Sequence, residues 1–468
     1  MICQNRDSGL NSDVAAEYKL QLKRAAVDVK LLDDGTLIMR SPYAVPATAS
    51  HPLVWLRKWA SETPDEIFIA QPDASAANGW GTLTYEDALA SAEAIAAKFA
   101  KWGLSAEAPV ATLAASGIDH ALIRLAAMRA GIPVVGLDPA ISEFAGPEYL
   151  AAAWELTKPG LLYVDDENLH GPALKLAKDA GARIITPKAF PKLGKRGLFG
   201  GGFKGPDPVG AAIATINLAG AETGAFDVAK MHTVAASHAQ ICWEQEAVGA
   251  IAPHLASARP VIADFCSWHR WDVGNLLFGA ALRSGGSICI ANILTYTVDG
   301  TPLPAPTVHF ADANTVYALL ARLELNTDIG TLFFGRLDGI WIYGGTMPEV
   351  AMDKLTQMAV TGSGHKIPIF TGYHGNASPV AQMARWFETD HSRNLGLPLP
   401  GTFARLAPEG EVPSGEDGEV YALQLMPPSP GGDPLDLDDA GNYVDTGERV
   451  RLIDAMRPYL GIEPATED

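Results

Sequence analysis

Cysteine is scarce in this 468-residue chain: Cys3, Cys242, Cys266 and Cys289 are scattered, and no two form a C-x-x-C pair. That excludes zinc-ligand spacing and a disulfide framework, and it fits a reducing cytoplasm. Positive charge is short as well. Against 54 Asp and Glu stand 35 Lys and Arg, a net charge of −19. A nucleic-acid role is therefore excluded, because holding a polyanion needs a basic stripe that releases counterions. The basic cluster Lys188, Lys192, Lys195, Arg196 and Lys204 falls in a glycine-rich stretch and reads as a solvated turn. No uncharged apolar run is long enough to cross a bilayer. The first forty residues alternate charged and apolar groups where a signal peptide needs an unbroken apolar core. What is present is a 48% hydrophobic composition rich in Gly and Pro. It predicts a globular α/β protein with a large core and two or three domains or subdomains.

Regular patterning starts near residue 49. Thr84 caps a helix predicted over 84–102, with Asp87 as its reciprocal partner. Leu89, Ala92, Ile95, Ala96 and Phe99 share one face, and Gly103 supplies the left-handed stop. The unit then recurs as a strand over 109–113, Ser116 with Asp119 as a cap, a helix over 121–129, Gly131, and a strand from Ile132. Such a βαβ unit implies a mostly parallel sheet. Further strand-like runs at 161–164, 183–186, 212–218, 261–265, 287–291, 307–311, 340–343 and 367–371 make a doubly wound α/β architecture the economical reading. Beyond 379, Pro, Gly, Asp and Glu become dense around short pieces at 402–406, 419–423 and 450–453. These predict a small antiparallel β subdomain. The expected division is an N-terminal extension 1–48, an α/β core 49–379 with a surface loop near 194–208, a β subdomain 380–456 and a tail 457–468.

After the strand over 212–216 comes Ala219-Gly220-Ala221-Glu222-Thr223-Gly224 and, further on, Lys230. Phosphate loops aim backbone N–H groups, hydroxyls and a lysine at anionic oxygens. Thr223, Gly224 and Lys230 are the candidates here, while Glu222 and Asp227 put negative charge where an anion would sit. Two readings stay open: a working loop, or a glycine-rich turn that no longer takes a triphosphate. Four further landmarks follow. They are Asp264-Phe265-Cys266-Ser267-Trp268-His269-Arg270-Trp271, then Tyr343-Gly344-Gly345-Thr346-Met347-Pro348, then Thr371-Gly372-Tyr373-His374-Gly375-Asn376-Ala377-Ser378-Pro379, and last Tyr443-Val444-Asp445-Thr446-Gly447-Glu448. Taken alone, each is equally an ordinary turn between elements.

In this order, over roughly residues 25–455, the landmarks resemble the adenylate-forming superfamily of acyl-CoA synthetases, adenylation domains and luciferases. Within it they resemble the feruloyl-CoA synthase-like aromatic acid–CoA ligases. Trp55, Trp59 and the run Leu83-Thr84-Tyr85 match the opening of that family, although core packing explains the tryptophans equally well. The resemblance implies the family's large N-terminal domain: two doubly wound α/β subdomains plus a small β-rich one. It also implies ATP-dependent activation of an aromatic or other carboxylic acid to acyl-AMP and then acyl-CoA. ATP or AMP and coenzyme A are the implied cofactors, and a small-molecule acid and an adenine nucleotide the implied partners.

By resemblance His269 gates the acid site, with Trp268 and Trp271 as pocket walls, and Gly344 borders the acid. Gly344, Gly345, Thr346 and Tyr373 hold adenine, Glu448 stands for the aspartate that grips the ribose, and Thr223, Gly224 and Lys230 meet the phosphates. The glutamate that holds magnesium in the family falls on Asn376 or Ala377, so no carboxylate for Mg2+ carries over. Past Asp454 the family has a hinge and a mobile domain of roughly a hundred residues that brings a catalytic lysine. This chain ends at Asp468. The expectation is that the lid domain is absent, that no catalytic residue is present to name, and that a separate lid protein or a homo-oligomer stays open as partner. The function expected is an impaired acid–CoA ligase, or else a non-catalytic pseudoenzyme binding an acid, an adenylate or a protein.

Overall fold

The computed structural model describes residues 18, 23–140, 146–190, 193, 202–220, 227–257, 259–290, 302–325, 327–343, 347–375, 378–389, 391–409, 419–428 and 442–465. Strand alternation builds its layers. Along Val110–Leu113, Val110 faces inward while Ala111 and Leu113 pack outward under the helices Gly146–Thr157 and Gly171–Asp179. Along Gly339–Tyr343, Trp341 and Tyr343 face inward while Ile340 and Ile342 lie under Ala313–Leu325, Thr327–Phe334 and Glu349–Ser363. A period of two in two sheets therefore feeds a shared inner core and two outer ones. The inner core also holds the helices Tyr85–Lys101, Ile118–Ala130, His238–Ile251 and Trp271–Ser284, giving five layers.

The six-stranded sheet is parallel except for its edge hairpin, in which Ile213–Ala219 pairs antiparallel with His232–Ser237. The nine-stranded sheet has a parallel centre running from Ile67–Pro72 to Ile369–Tyr373, with antiparallel strands at both edges. A third, wholly antiparallel six-stranded sheet holds Phe403–Pro408, Tyr421–Leu425 and Val444–Leu452. The expected α/β architecture with a small β sheet thus stands.

Three local expectations shift. Asp28–Leu31 and Leu37–Arg40, within the segment read as an extension, form strands of the third sheet because Leu37–Arg40 finds an open edge on Phe403–Pro408. Met383–Arg385 and Leu397–Pro398, beyond 379, extend the nine-stranded sheet. Ser116 does not cap the helix Ile118–Ala130, whose N-cap is Gly117. Its hydroxyl donates instead to the Cys266 carbonyl at 2.8 Å, tying the two α/β halves together, and Gln71 Oε1 accepts from Ile118 N at 2.8 Å. Thr84 caps Tyr85–Lys101 as expected, accepting from Asp87 N at 3.2 Å. Among the described residues no helix is long and apolar enough to cross a membrane, and Cys242, Cys266 and Cys289 are buried and form no disulfide.

Candidate active site

In a doubly wound sheet the crevice lies at the carboxyl ends of the parallel strands, where loops rather than ladder bonds fill the space. The loop after Val261–Asp264 is organised there by one buried carboxylate. Asp264, 1% exposed, accepts from Cys266 N at 2.8 Å and from Trp268 Nε1 at 2.7 Å. Burial pushes its carboxyl up to about 7, against the pull of those two hydrogen bonds. Trp268 is consequently drawn inward, its ring 5.6 Å from both His120 and Phe278. It walls a small internal cavity, and its indole is core.

His269 points the other way. Its Nδ1 is 2.6 Å from Ser267 Oγ and its Nε2 is 3.2 Å from Asp138 Oδ2, in the loop after the strand Val134–Gly136 of the other sheet. The backbone at Gly136 permits this approach, since a Cβ there would sit 2.7 Å from the His269 carbonyl oxygen. Arg270, next along, pairs with Asp312 at 3.8 Å. The side chain of Trp271 lies outside the described residues.

Beside this lies a buried polar chain. Arg124, 3% exposed on Ile118–Ala130, donates to Gly274 O at 3.2 Å and to Asn275 Oδ1. Asn275 Nδ2 in turn donates to Thr215 Oγ1 at 3.1 Å, and the Phe278 ring lies 5.0 Å from the guanidinium. Desolvation lowers Arg124 to about 10. These contacts join the helices Ile118–Ala130 and Trp271–Ser284 to the strand Ile213–Ala219 and hold the crevice walls in register.

Tyr373 ends Ile369–Tyr373 and meets the third sheet. Its phenol stands above its ordinary value, chiefly through burial, with the Thr446 hydroxyl opposing and the Glu448 carboxylate adding to the shift. Thr446, in Val444–Leu452, donates to Leu423 O at 2.8 Å and accepts from Glu448 N at 3.1 Å, which fixes the turn that presents Glu448. Gly375 completes the junction: a Cβ there would lie 2.7 Å from the Thr446 methyl. Two segments some seventy residues apart in sequence therefore meet, Tyr373 and Gly375 against Thr446, with the half-buried Glu448 two residues further along the same strand.

Lys230 lies elsewhere. It ends the short turn Val228–Lys230 in the hairpin of the other sheet, with its side chain 77% exposed and paired to Asp227 at 3.8 Å. Asp227 also accepts from Ala229 N at 3.0 Å. Thr223, Gly224, Gly344, Gly345, Thr346 and Asn376 lie outside the described residues. Among the described residues no group of three or more His, Cys, Asp or Glu could hold a metal ion. Asp138 and Arg124 went unread in the sequence. Asp138 had one usable signal, an acid just past a parallel strand's carboxyl end, and Arg124 another, a charge inside an otherwise apolar helix.

Residues 56–190 match the AMP-binding enzyme family. No curated protein matches the chain. Among solved structures, a long-chain-fatty-acid-CoA ligase from Archaeoglobus fulgidus aligns with a TM-score of 0.71 at 13% identity, covering 91% of this chain and 86% of that one. The N-terminal subdomain of Klebsiella oxytoca NpsA, in complex with 3-hydroxyanthranilyl-AMSN, aligns at 0.61 and 17% identity, covering 90% and 99%. ATP-bound MatB from Rhodopseudomonas palustris aligns at 0.62 and 16% identity, covering 88% and 78%. The fold is accordingly that of the N-terminal domain of adenylate-forming enzymes.

Proposed function

We propose that this protein binds an adenine nucleotide and a carboxylic acid in the crevice at the carboxyl ends of its parallel strands, as an adenylate-forming protein of the acid–CoA ligase type. The meeting of the Tyr373–Gly375 segment with Thr446, whose hydroxyl holds the Glu448 backbone, carries the reading, because it joins two distant motifs that would form the adenosine half of a site. Tyr373 and the Gly344–Gly345–Thr346 turn would flank adenine, and Glu448 would accept from the ribose hydroxyls. His269, steered by Ser267 and Asp138, would shape the acid pocket, for which an aromatic acid of the feruloyl type is the first candidate. In the full reaction an acid oxygen attacks the α-phosphorus of ATP and pyrophosphate leaves. A coenzyme A thiol then attacks the acyl carbon and AMP leaves.

The triphosphate half fits less well. Lys230 is exposed and already paired with Asp227, Glu222 adds a second acid to the same loop, and Asn376 or Ala377 stands where a magnesium carboxylate is expected. A like charge about 4 Å from a phosphate costs roughly 4 kcal/mol at an effective dielectric near 20. AMP and acyl-adenylates should therefore bind better than ATP with magnesium, and pyrophosphate release should be slow or nil. The same pair favours the second reading, a binding pseudoenzyme. The buried thiols, in no disulfide among the described residues, suit a reducing compartment such as the cytoplasm. Calorimetric titration with AMP, ATP and ferulate, run beside a pyrophosphate-release assay, tests all of this: rapid release by this chain refutes impairment, and failure of AMP to bind refutes the site.

A further inference from the structure

We propose a second ligand site, distinct from the crevice, in which a small zwitterion of the amino-acid type sets its carboxylate on Arg385 and its ammonium against Glu349 and Asp353. A cleft of about 240 Å3 opens between the helix Glu349–Ser363 and the strand Met383–Arg385, and these three residues line it with Tyr18, Thr356 and Lys366. Such a volume is several times a water molecule's share of the liquid and suits a molecule of a dozen or fewer heavy atoms.

Arg385 is the inner group. It is 2% exposed, its Nε is buried with no hydrogen-bond partner, and among the described residues its guanidinium forms neither a hydrogen bond nor an ion pair. A buried planar fork of donors with no acceptor is costly to keep, and a carboxylate is the geometry that fork matches. Neighbouring groups do not fill the role. The Tyr18 phenol, which stands near Arg385, is raised to about 12 by burial and by Glu388, so it stays neutral. Lys366 and Glu388 neutralise each other at 2.7 Å. Of the charges lining the cleft, those left without an ion pair among the described residues are thus one buried cation and the two exposed acids Glu349 and Asp353, one helical turn apart on the facing helix. An anion alone would satisfy Arg385 but would meet those acids unfavourably, whereas a zwitterion satisfies both ends.

The cleft is separate from the candidate active site. In the antiparallel pair of Ile369–Tyr373 with Met383–Arg385, Tyr373 is opposite Met383 and Thr371 opposite Arg385, and the other lining residues Lys366–Ile369 lie toward the amino end of that strand.

Titration of the whole chain with glycine, β-alanine, 4-aminobutanoate and propionate, followed by calorimetry or thermal shift, tests the proposal. At least one zwitterion should bind tenfold or more tightly than propionate. Arg385→Met should abolish that binding, and Asp353→Asn should reduce it toward propionate's level. AMP affinity should stay unchanged throughout, which separates failure here from failure of the nucleotide site. Should Arg385→Met not fold, Thr356→Phe, which fills the cleft, must also abolish binding. The proposal is overturned if none of the four compounds binds at 10 mM, if propionate binds as tightly as every zwitterion, or if binding survives both Arg385→Met and Thr356→Phe.

Discussion

His269 Nε2 lies 3.2 Å from Asp138 Oδ2, each side chain 15% exposed, so a loop of the nine-stranded sheet is held against a loop of the six-stranded one. Cutting this contact should loosen the acid side of the crevice and leave the adenosine side alone. Asp138→Ala is expected to weaken binding of an acyl-adenylate analogue several-fold while AMP affinity stays within twofold, as measured by calorimetry. Equal losses for both ligands would contradict the assignment of His269 to the acid.

Glu448 and Tyr373 should behave oppositely to His269. Hydrogen bonds to a charged acceptor are worth about 1.5–3 kcal/mol, so Glu448→Ala should raise the AMP dissociation constant roughly 10- to 150-fold. Glu448→Asp should recover part of that loss. Tyr373→Ala should weaken AMP by about tenfold through lost stacking, at about 1–3 kcal/mol per base. Unchanged affinity in all three variants would move the nucleotide elsewhere.

In the loop, the Lys230–Asp227 pair is exposed and contributes little to folding. Lys230→Ala should leave the melting temperature within a degree or two. Asp227→Asn should instead tighten ATP several-fold at low salt by freeing the lysine and removing a repelling charge, with the gain fading as salt rises. A tighter ATP complex that ignores ionic strength would count against this explanation.

Two buried groups give opposite pH signatures. His238 is fully buried, with both ring nitrogens unpartnered among the described residues, and desolvation lowers it to about 4. Unfolded, it takes a proton near 6.5, so acid favours unfolding across the window from 6.5 down to 4. His238→Phe should gain stability over wild type as pH falls through that window, by up to about 3 kcal/mol. Asp264 is raised to about 7. The folded state therefore holds its proton longer than the unfolded one, and stability drains away as pH rises from 3.8 to 7. Asp264→Asn gives up one of the two acceptor oxygens that Cys266 N and Trp268 Nε1 use, a cost independent of pH, and should gain relative to wild type as pH rises, by up to about 4 kcal/mol. Denaturant melts at pH 4, 5.5 and 7 decide both signs.

Within the Arg124 chain, the two partners should not be equivalent. Asn275→Ala leaves a buried guanidinium short of an acceptor and should cost about 1–3 kcal/mol. Arg124→Met removes the buried charge along with its donors and should cost less. A double-mutant cycle by urea denaturation measures the coupling.

Local chemistry made much of this molecule legible from its sequence. Thr84 capping, the left-handed Gly103 and Gly131, and the strand over 109–113 are short-range effects, and each appears as expected. Ser116 was misread because a hydroxyl near a helix start caps only if nothing else claims it, and its claimant, the Cys266 carbonyl, is 150 residues away. The hairpin at 28–40 looked like an extension because an edge strand's partner cannot be seen in its own residues.

The sequence by itself determined the order of most strands and helices, the turn positions and the acids Glu222 and Asp227 beside the glycine-rich loop, because those depend on neighbours a few residues apart. Only the tertiary structure decided that the Tyr373–Gly375 segment meets Thr446, that His269 meets Asp138 while Trp268 turns into the core, and that Arg385 is buried without an acceptor among the described residues. Each of these depends on which distant segment supplies the partner, and on burial, which turns an ordinary side chain into one that must be satisfied.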